Sequence, residues 1–186
     1  MTTISKCFIF AGVALAMSSS NALGQHWKTV SPMPTARMGV AGVGSDGLIY
    51  ALGGSTTNSV VTATGANEAY ATEDDSWVSL APMPTPRRFA SAAVDNCGRI
   101  YVIGGGSPNF MPPFTNIVER YSPDTDTWET LPSMPTNRVS AAITTDLDGR
   151  IWVMGGFNGT QLTAVEVFDP ESKTWSPRTP LLVAAG

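Results

Sequence analysis

The side chains able to do chemistry in this chain of 186 residues are few. There is one histidine, His26, and there are two cysteines, Cys7 and Cys97, so no zinc or copper site of imidazole and thiolate ligands can be assembled. A serine nucleophile needs a base, and beyond His26 only Lys28 and Lys173 stand outside the first few residues, each beside a tryptophan. Gly104-Gly105-Gly106 is followed by neither a helix nor a lysine, which removes a phosphate loop. Asp124 and Asp126 begin like a calcium loop but lack the next ligand, the glycine and the distal glutamate; solvated turn carboxylates are the better reading. No catalytic residue, metal ligand or cofactor site is assigned.

Two sets recur instead: Arg37, Arg87 and Arg138, and Glu68, Glu119 and Glu166. A guanidinium holds a carboxylate through two parallel hydrogen bonds, so three converging arginines would form a binding site for an anionic partner. The alternative is that each arginine braces the Met-Pro loop beside it. The glutamates read as structural, pairing with turn amides or with a neighbouring unit.

The frame that positions these residues comes from composition and spacing. With 42% hydrophobic residues the chain can build a core, which excludes a disordered tail, and a net charge of -4 offers no basic stripe to nucleic acid. Eighteen glycines and fourteen prolines, spread evenly, predict many turns between short strands. Trp27, Trp77, Trp128 and Trp175 follow at steps of 50, 51 and 47 residues. Met33-Pro34-Thr35-Ala36-Arg37 returns as Met83-Pro84-Thr85-Pro86-Arg87 and as Met134-Pro135-Thr136-Asn137-Arg138. The doublets Gly53-Gly54, Gly104-Gly105 and Gly155-Gly156 each end an apolar run, and Tyr70, Tyr121 and Phe168 each precede a tryptophan by seven residues.

A period near 50 carrying a glycine doublet and a spaced aromatic pair resembles the kelch repeat, one blade of a β-propeller. The resemblance runs from Trp27 to about Trp175. Each unit reads as an all-β, four-stranded blade, over about 36–80, 87–131 and 138–178. A small-residue inner strand is followed by a tight turn (Asp46-Gly47, Cys97-Gly98, Asp148-Gly149), an apolar second strand, a third strand with the Tyr or Phe, and an outer strand with the Trp. That leaves Trp27 on a stray outer strand. Propellers have typically four to eight blades, so three are expected to be part of a larger ring, closed by blades of a longer chain or by a second copy. In kelch domains, arginines at this place in the repeat line a pocket for acidic peptides, which is what the resemblance implies for Arg37, Arg87 and Arg138.

Residues 1–24 read as a secretory signal: Lys6, an apolar run from Cys7 to Met17, then small and polar residues, with cleavage after Ala22 or after Gly24. The run is too short to span a membrane, so a secreted or periplasmic protein is expected, free of the membrane once cleaved. Of the two cysteines only Cys97 would remain, leaving stability to the core or to a bond with another chain. Asn158-Gly159-Thr160 matches a glycosylation acceptor and also a favoured hairpin turn; the turn is preferred. Two functions fit. The first is an exported scaffold that binds a protein or glycan. The second is a carbohydrate-active enzyme, because the chain resembles exported kelch-type propellers such as bacterial N-acetylneuraminate epimerase, a sialic acid mutarotase; its catalytic acid finds no counterpart here.

Overall fold

The computed structural model describes residues 27–56, 62–106 and 113–183. The segments rich in β-branched, aromatic and small residues become short strands, and Gly, Asp and Pro clusters turn the chain between them. In chain order the strands are β1 (Ala41–Ser45), β2 (Leu48–Leu52), β3 (Ser55–Thr56), β4 (Thr62–Ala63), β5 (Asn67–Ala71), β6 (Ser76–Leu80), β7 (Ser91–Val94), β8 (Ile100–Ile103), β9 (Val118–Ser122), β10 (Thr127–Leu131), β11 (Ala142–Thr145), β12 (Ile151–Met154), β13 (Val165–Asp169) and β14 (Thr174–Arg178). They form three antiparallel four-stranded sheets, β1-β2-β5-β6, β7-β8-β9-β10 and β11-β12-β13-β14, with β3-β4 as a small hairpin. The three blades stand side by side and the ring is not closed.

Alternation along each second strand divides its side chains between two neighbours. Ile100 and Val102 pack toward the first blade with Tyr50, Leu52 and Tyr121, while Tyr101 and Ile103 pack toward the third with Val153 and Phe168. Ile100, Tyr101 and Val102 are fully buried, as a strand covered on both faces must be. The outer faces of the arc differ. Ile49, which holds the place of Ile100 and Ile151, is 48% exposed where those two are 0%.

The glycine doublet is where one blade admits the next. The Gly54 amide donates to the Arg87 carbonyl and the Gly105 amide to the Arg138 carbonyl, both at 2.9 Å. A Cβ on Gly53 or Gly104 would stand 2.5 Å from that same carbonyl oxygen, and both have positive φ, 62° and 66°. Nearer the axis Gly39, Phe89 and Ser140 repeat one left-handed conformation, and their backbones link blade to blade: the Phe89 amide donates to Gly39 and the Ser140 amide to Phe89.

A third link lies at the rim. Trp77, Trp128 and Trp175 stack on Tyr70, Tyr121 and Phe168 at 5.1–5.3 Å, and their indole N–H groups donate to the carbonyls of Ser31, Ala81 and Pro132 in the loop before each blade. In the first two blades an aspartate completes the latch. Asp75 accepts from the Tyr70 hydroxyl and the Ser31 amide, and Asp126 accepts from the Tyr121 hydroxyl and the Ala81 amide. In the third blade all three members change together: Pro132 has no N–H, Phe168 has no hydroxyl, and Lys173 stands where the aspartate was. Lys173 instead reaches back to Glu129 of the second blade at 2.6 Å.

One expectation needs correction. Residues 27–30 form no strand and Trp27 is fully exposed, because among the described residues every third strand already holds its own outer strand. Cys97 is disulfide-bonded, and the other cysteine, Cys7, lies outside the described residues. The leader, residues 1–24, and His26 also lie outside them.

Candidate functional site

The recurring Met-Pro-Thr-x-Arg segment enters each blade and closes on its third strand. Arg37 Nη2 pairs with Glu68 Oε2 at 2.6 Å, Arg87 Nη1 with Glu119 Oε2 at 2.5 Å, and Arg138 Nη2 with Glu166 Oε2 at 2.6 Å. The other carboxylate oxygen accepts from the threonine two residues before the arginine, Thr35, Thr85 or Thr136, at 2.6–2.8 Å. Other guanidinium protons go to main-chain carbonyls: Gly53, Ala51 and Ala66 from Arg37, Thr85 and Val102 from Arg87, Thr136, Gly155 and Ala164 from Arg138.

The side chains of all three arginines are at most 1% exposed. Desolvation lowers the pKa of Arg87 and of Arg138, opposed by Glu119 and Glu166 respectively. Burial alone would raise the Glu68 pKa, but the hydrogen bonds from Thr35 and Arg37 outweigh it and hold the carboxyl below its ordinary value. The structure thus departs from the anion-gripping mouth expected of Arg37, Arg87 and Arg138. A guanidinium out of water and already bound to a carboxylate and to carbonyls is closed to a ligand, and the Nε atoms of Arg37 and Arg87, which make no hydrogen bond, are buried with the rest. These residues build the blade, as Gly53, Gly54, Gly104, Gly105 and the stacked aromatics do.

What remains for recognition lies in the loops at the two ends of the blades. At the hairpin-turn end a cleft of about 1010 Å³ is lined by Asp46, Asp95, Arg99, Asp124, Asp148 and Arg150 among others. Most of its charge is committed locally: Asp95 accepts from the Cys97 and Arg99 amides, the Arg99 side chain and the Tyr101 hydroxyl, and Arg150 is paired with Asp146 and Asp148. No group of His, Cys, Asp and Glu that could hold a metal occurs among the described residues.

The opposite end has a different character. There the residue after each repeat arginine, Met38, Arg88 or Val139, makes an isolated backbone bridge to the residue after the doublet, Ser55, Gly106 or Phe157. The backbone is the same in all three blades and the side chains are not. Met38 is 49% and Phe157 38% exposed; Phe157 meets Phe114 edge-on at 5.8 Å, and Arg88 lies over the Phe89 ring at 4.9 Å. This loop face, on which Met38 and Phe157 are exposed while Ser55, Arg88, Val139 and Phe114 are buried, was missed in the sequence. Its signal was present there as the one variable residue directly behind each constant Arg and each constant Gly-Gly.

Sheets of four antiparallel strands, joined in series and latched rim to axis, define a β-propeller segment. Comparison with known proteins identifies its type. The kelch motif matches residues 86–135 and 147–182. Beta-scruin of Limulus polyphemus is 32% identical over 157 residues, 79% of this chain and 17% of its own. Human Kelch-like protein 28 is 37% identical over 98 residues, 50% of this chain and 17% of its own. A solved structure titled "Structure of YjhT" superposes with a TM-score of 0.74 at 21% identity, covering 84% of this chain and 56% of that one, a likeness of fold. The chain is a kelch-repeat β-propeller chain, and it spans about a sixth of the length of the curated relatives named here.

Proposed function

We propose that this chain is an exported, non-enzymatic interaction scaffold that takes a protein partner on the loop face around Met38, Phe89, Phe114 and Phe157. The observation behind this reading is the split between repeated and non-repeated residues. Charged groups that recur in every blade are consumed inside the blade, whereas side chains that change from blade to blade sit on one constant backbone at one end. A rigid frame carrying variable loop residues is the arrangement binding proteins use, and kelch-repeat propellers are commonly protein-interaction scaffolds. The exposed Met and Phe favour an apolar protein surface over a glycan.

Ring closure belongs to the same proposal. Trp152 and Met154 on the open side of the third blade are half-buried, while Tyr101 and Ile103 at the same places in the second are 0% and 2% exposed. Further kelch blades are the surface that fits there. A second copy of this chain fits less well, since its three blades already have outer strands and the segment at Trp27 would be left over.

Cross-linking in the exporting cell, followed by mass spectrometry of the captured proteins, tests the binding claim. The parent should capture a partner that a Met38→Asp/Phe157→Asp variant loses, while an Asp148→Lys variant at the turn end keeps it. Identical capture by all three would refute the assignment of the face.

A further inference from the structure

We infer that Asn158-Gly159 is a site of spontaneous covalent modification, at which Asn158 becomes aspartate and isoaspartate without an enzyme. It is the chain's one Asn-Gly pair. Phe157 bridges Gln161, so residues 158–160 form the tip of a three-residue hairpin loop, with Gly159 and Thr160 exposed. The attacking group is the Gly159 main-chain nitrogen. Among the described residues its N–H donates to no carbonyl, in contrast to the Asn158 N–H, which is bound to the Thr160 carbonyl at 3.1 Å. A Cβ at Gly159 would meet nothing within 4 Å beyond its chain neighbours, so the space on that side of the residue is open.

Asn158 itself is half-buried beside the exposed Gly159. The Thr160 hydroxyl lies 3.5 Å from Asn158 Oδ1, the outer limit of a hydrogen bond, on the oxygen that must gain charge during attack. Glycine's freedom of rotation lets the nitrogen swing toward Asn158 Cγ.

The reaction balances with water alone. Gly159 N gives up its proton to solvent and forms a bond to Asn158 Cγ; the Cγ–Nδ2 bond breaks, and the amide leaves as ammonia after taking a proton. The resulting succinimide is opened by water at either carbonyl. One opening yields aspartate, and the other yields isoaspartate, which adds a methylene to the main chain. Nothing is oxidised or reduced. Either product puts a negative charge one residue from Phe157, on the loop face. A partner that covers that face would have to desolvate a carboxylate where an amide stood, so conversion weakens binding. That consequence rests on the proposed function; the chemistry does not.

The test is peptide mapping of the full chain held at neutral and at mildly alkaline pH. Expected is a gain of one mass unit at Asn158, several-fold faster than at Asn116 or Asn137, accelerating with pH and accompanied by isoaspartate. An Asn158→Gln variant, which must close a larger ring, should stay unmodified over the same period. Modification of Asn158 no faster than at those asparagines, or equal change in the Gln variant, would overturn the inference. Capture of the partner by fresh and by aged chain separates the two claims. Loss on ageing in the parent and not in Asn158→Gln supports the weakening of the face, and unchanged capture by fully converted chain overturns it. No capture by fresh parent counts against the proposed function alone.

Discussion

Replacing Arg87 with Ala should be among the most damaging single changes in the chain. The side chain is 1% exposed, as is that of Glu119, and it donates to Glu119, to the Thr85 carbonyl and to the Val102 carbonyl. Truncation leaves the Glu119 carboxylate in the blade with only the Thr85 hydroxyl as donor. Breaking one side of a buried ion pair costs about 3–5 kcal/mol, a large part of the roughly 5–15 kcal/mol that holds a domain folded. At a urea dependence of about 2 kcal/mol per molar, the unfolding midpoint should fall by about 2 M. The exposed pair Lys173–Glu129 gives the contrast, since Lys173→Ala should cost at most about 1 kcal/mol. The double change Arg87→Met/Glu119→Leu should recover most of the loss, because it removes both charges together. An Arg87→Ala protein as stable as Lys173→Ala, or a double variant no better than the single, would refute the buried-pair reasoning.

Other expectations can be checked with the same unfolding assay. Gly104→Ala should cost at least about 2 kcal/mol, from a left-handed φ and the collision with the Arg138 carbonyl. Trp128→Ala should cost about 3 kcal/mol through loss of the Tyr121 stack and of the bond to Ala81, the low end for a tryptophan because it is only partly buried. Acid should destabilise the fold. Glu68, Asp75 and Asp126 all have lowered pKa values in the folded chain, so their contribution is present above the ordinary carboxylate range and lost as pH falls below about 4. Urea midpoints that stay flat between neutral pH and about pH 3 would contradict this. Intact mass of the exported product should show removal of the leader at Ala22 or Gly24, and a product that retains Met1 would contradict export by this signal.

The blades were legible because their landmarks are backbone requirements. A doublet that must admit a carbonyl and an indole that must reach one are fixed residue by residue, and so they recur visibly. The Arg and Glu sets were equally visible, but their role was not. A guanidinium looks the same in sequence whether it faces a channel or a carboxylate 31 residues away, as Arg37 faces Glu68. Thr35, Thr85 and Thr136 were the missed clue, since a donor two residues before each arginine completes a closed set. The covariation of Pro132, Phe168 and Lys173 was also readable in principle, but its meaning needed the Asp126 to Ala81 bond. Residues 27–30 kept the outer-strand pattern without forming a strand, because a strand exists only against a partner edge.

Hydrogen exchange of the chain with and without its captured partner tests the central claim most directly. The account predicts new protection on the loop face at Gly39, Gly159 and Thr160, whose amides donate to no carbonyl among the described residues, with none at the repeat glutamates, whose amides are already in the sheets. Protection confined to the turn end, around Asp46, Asp124 and Asp148, would contradict it.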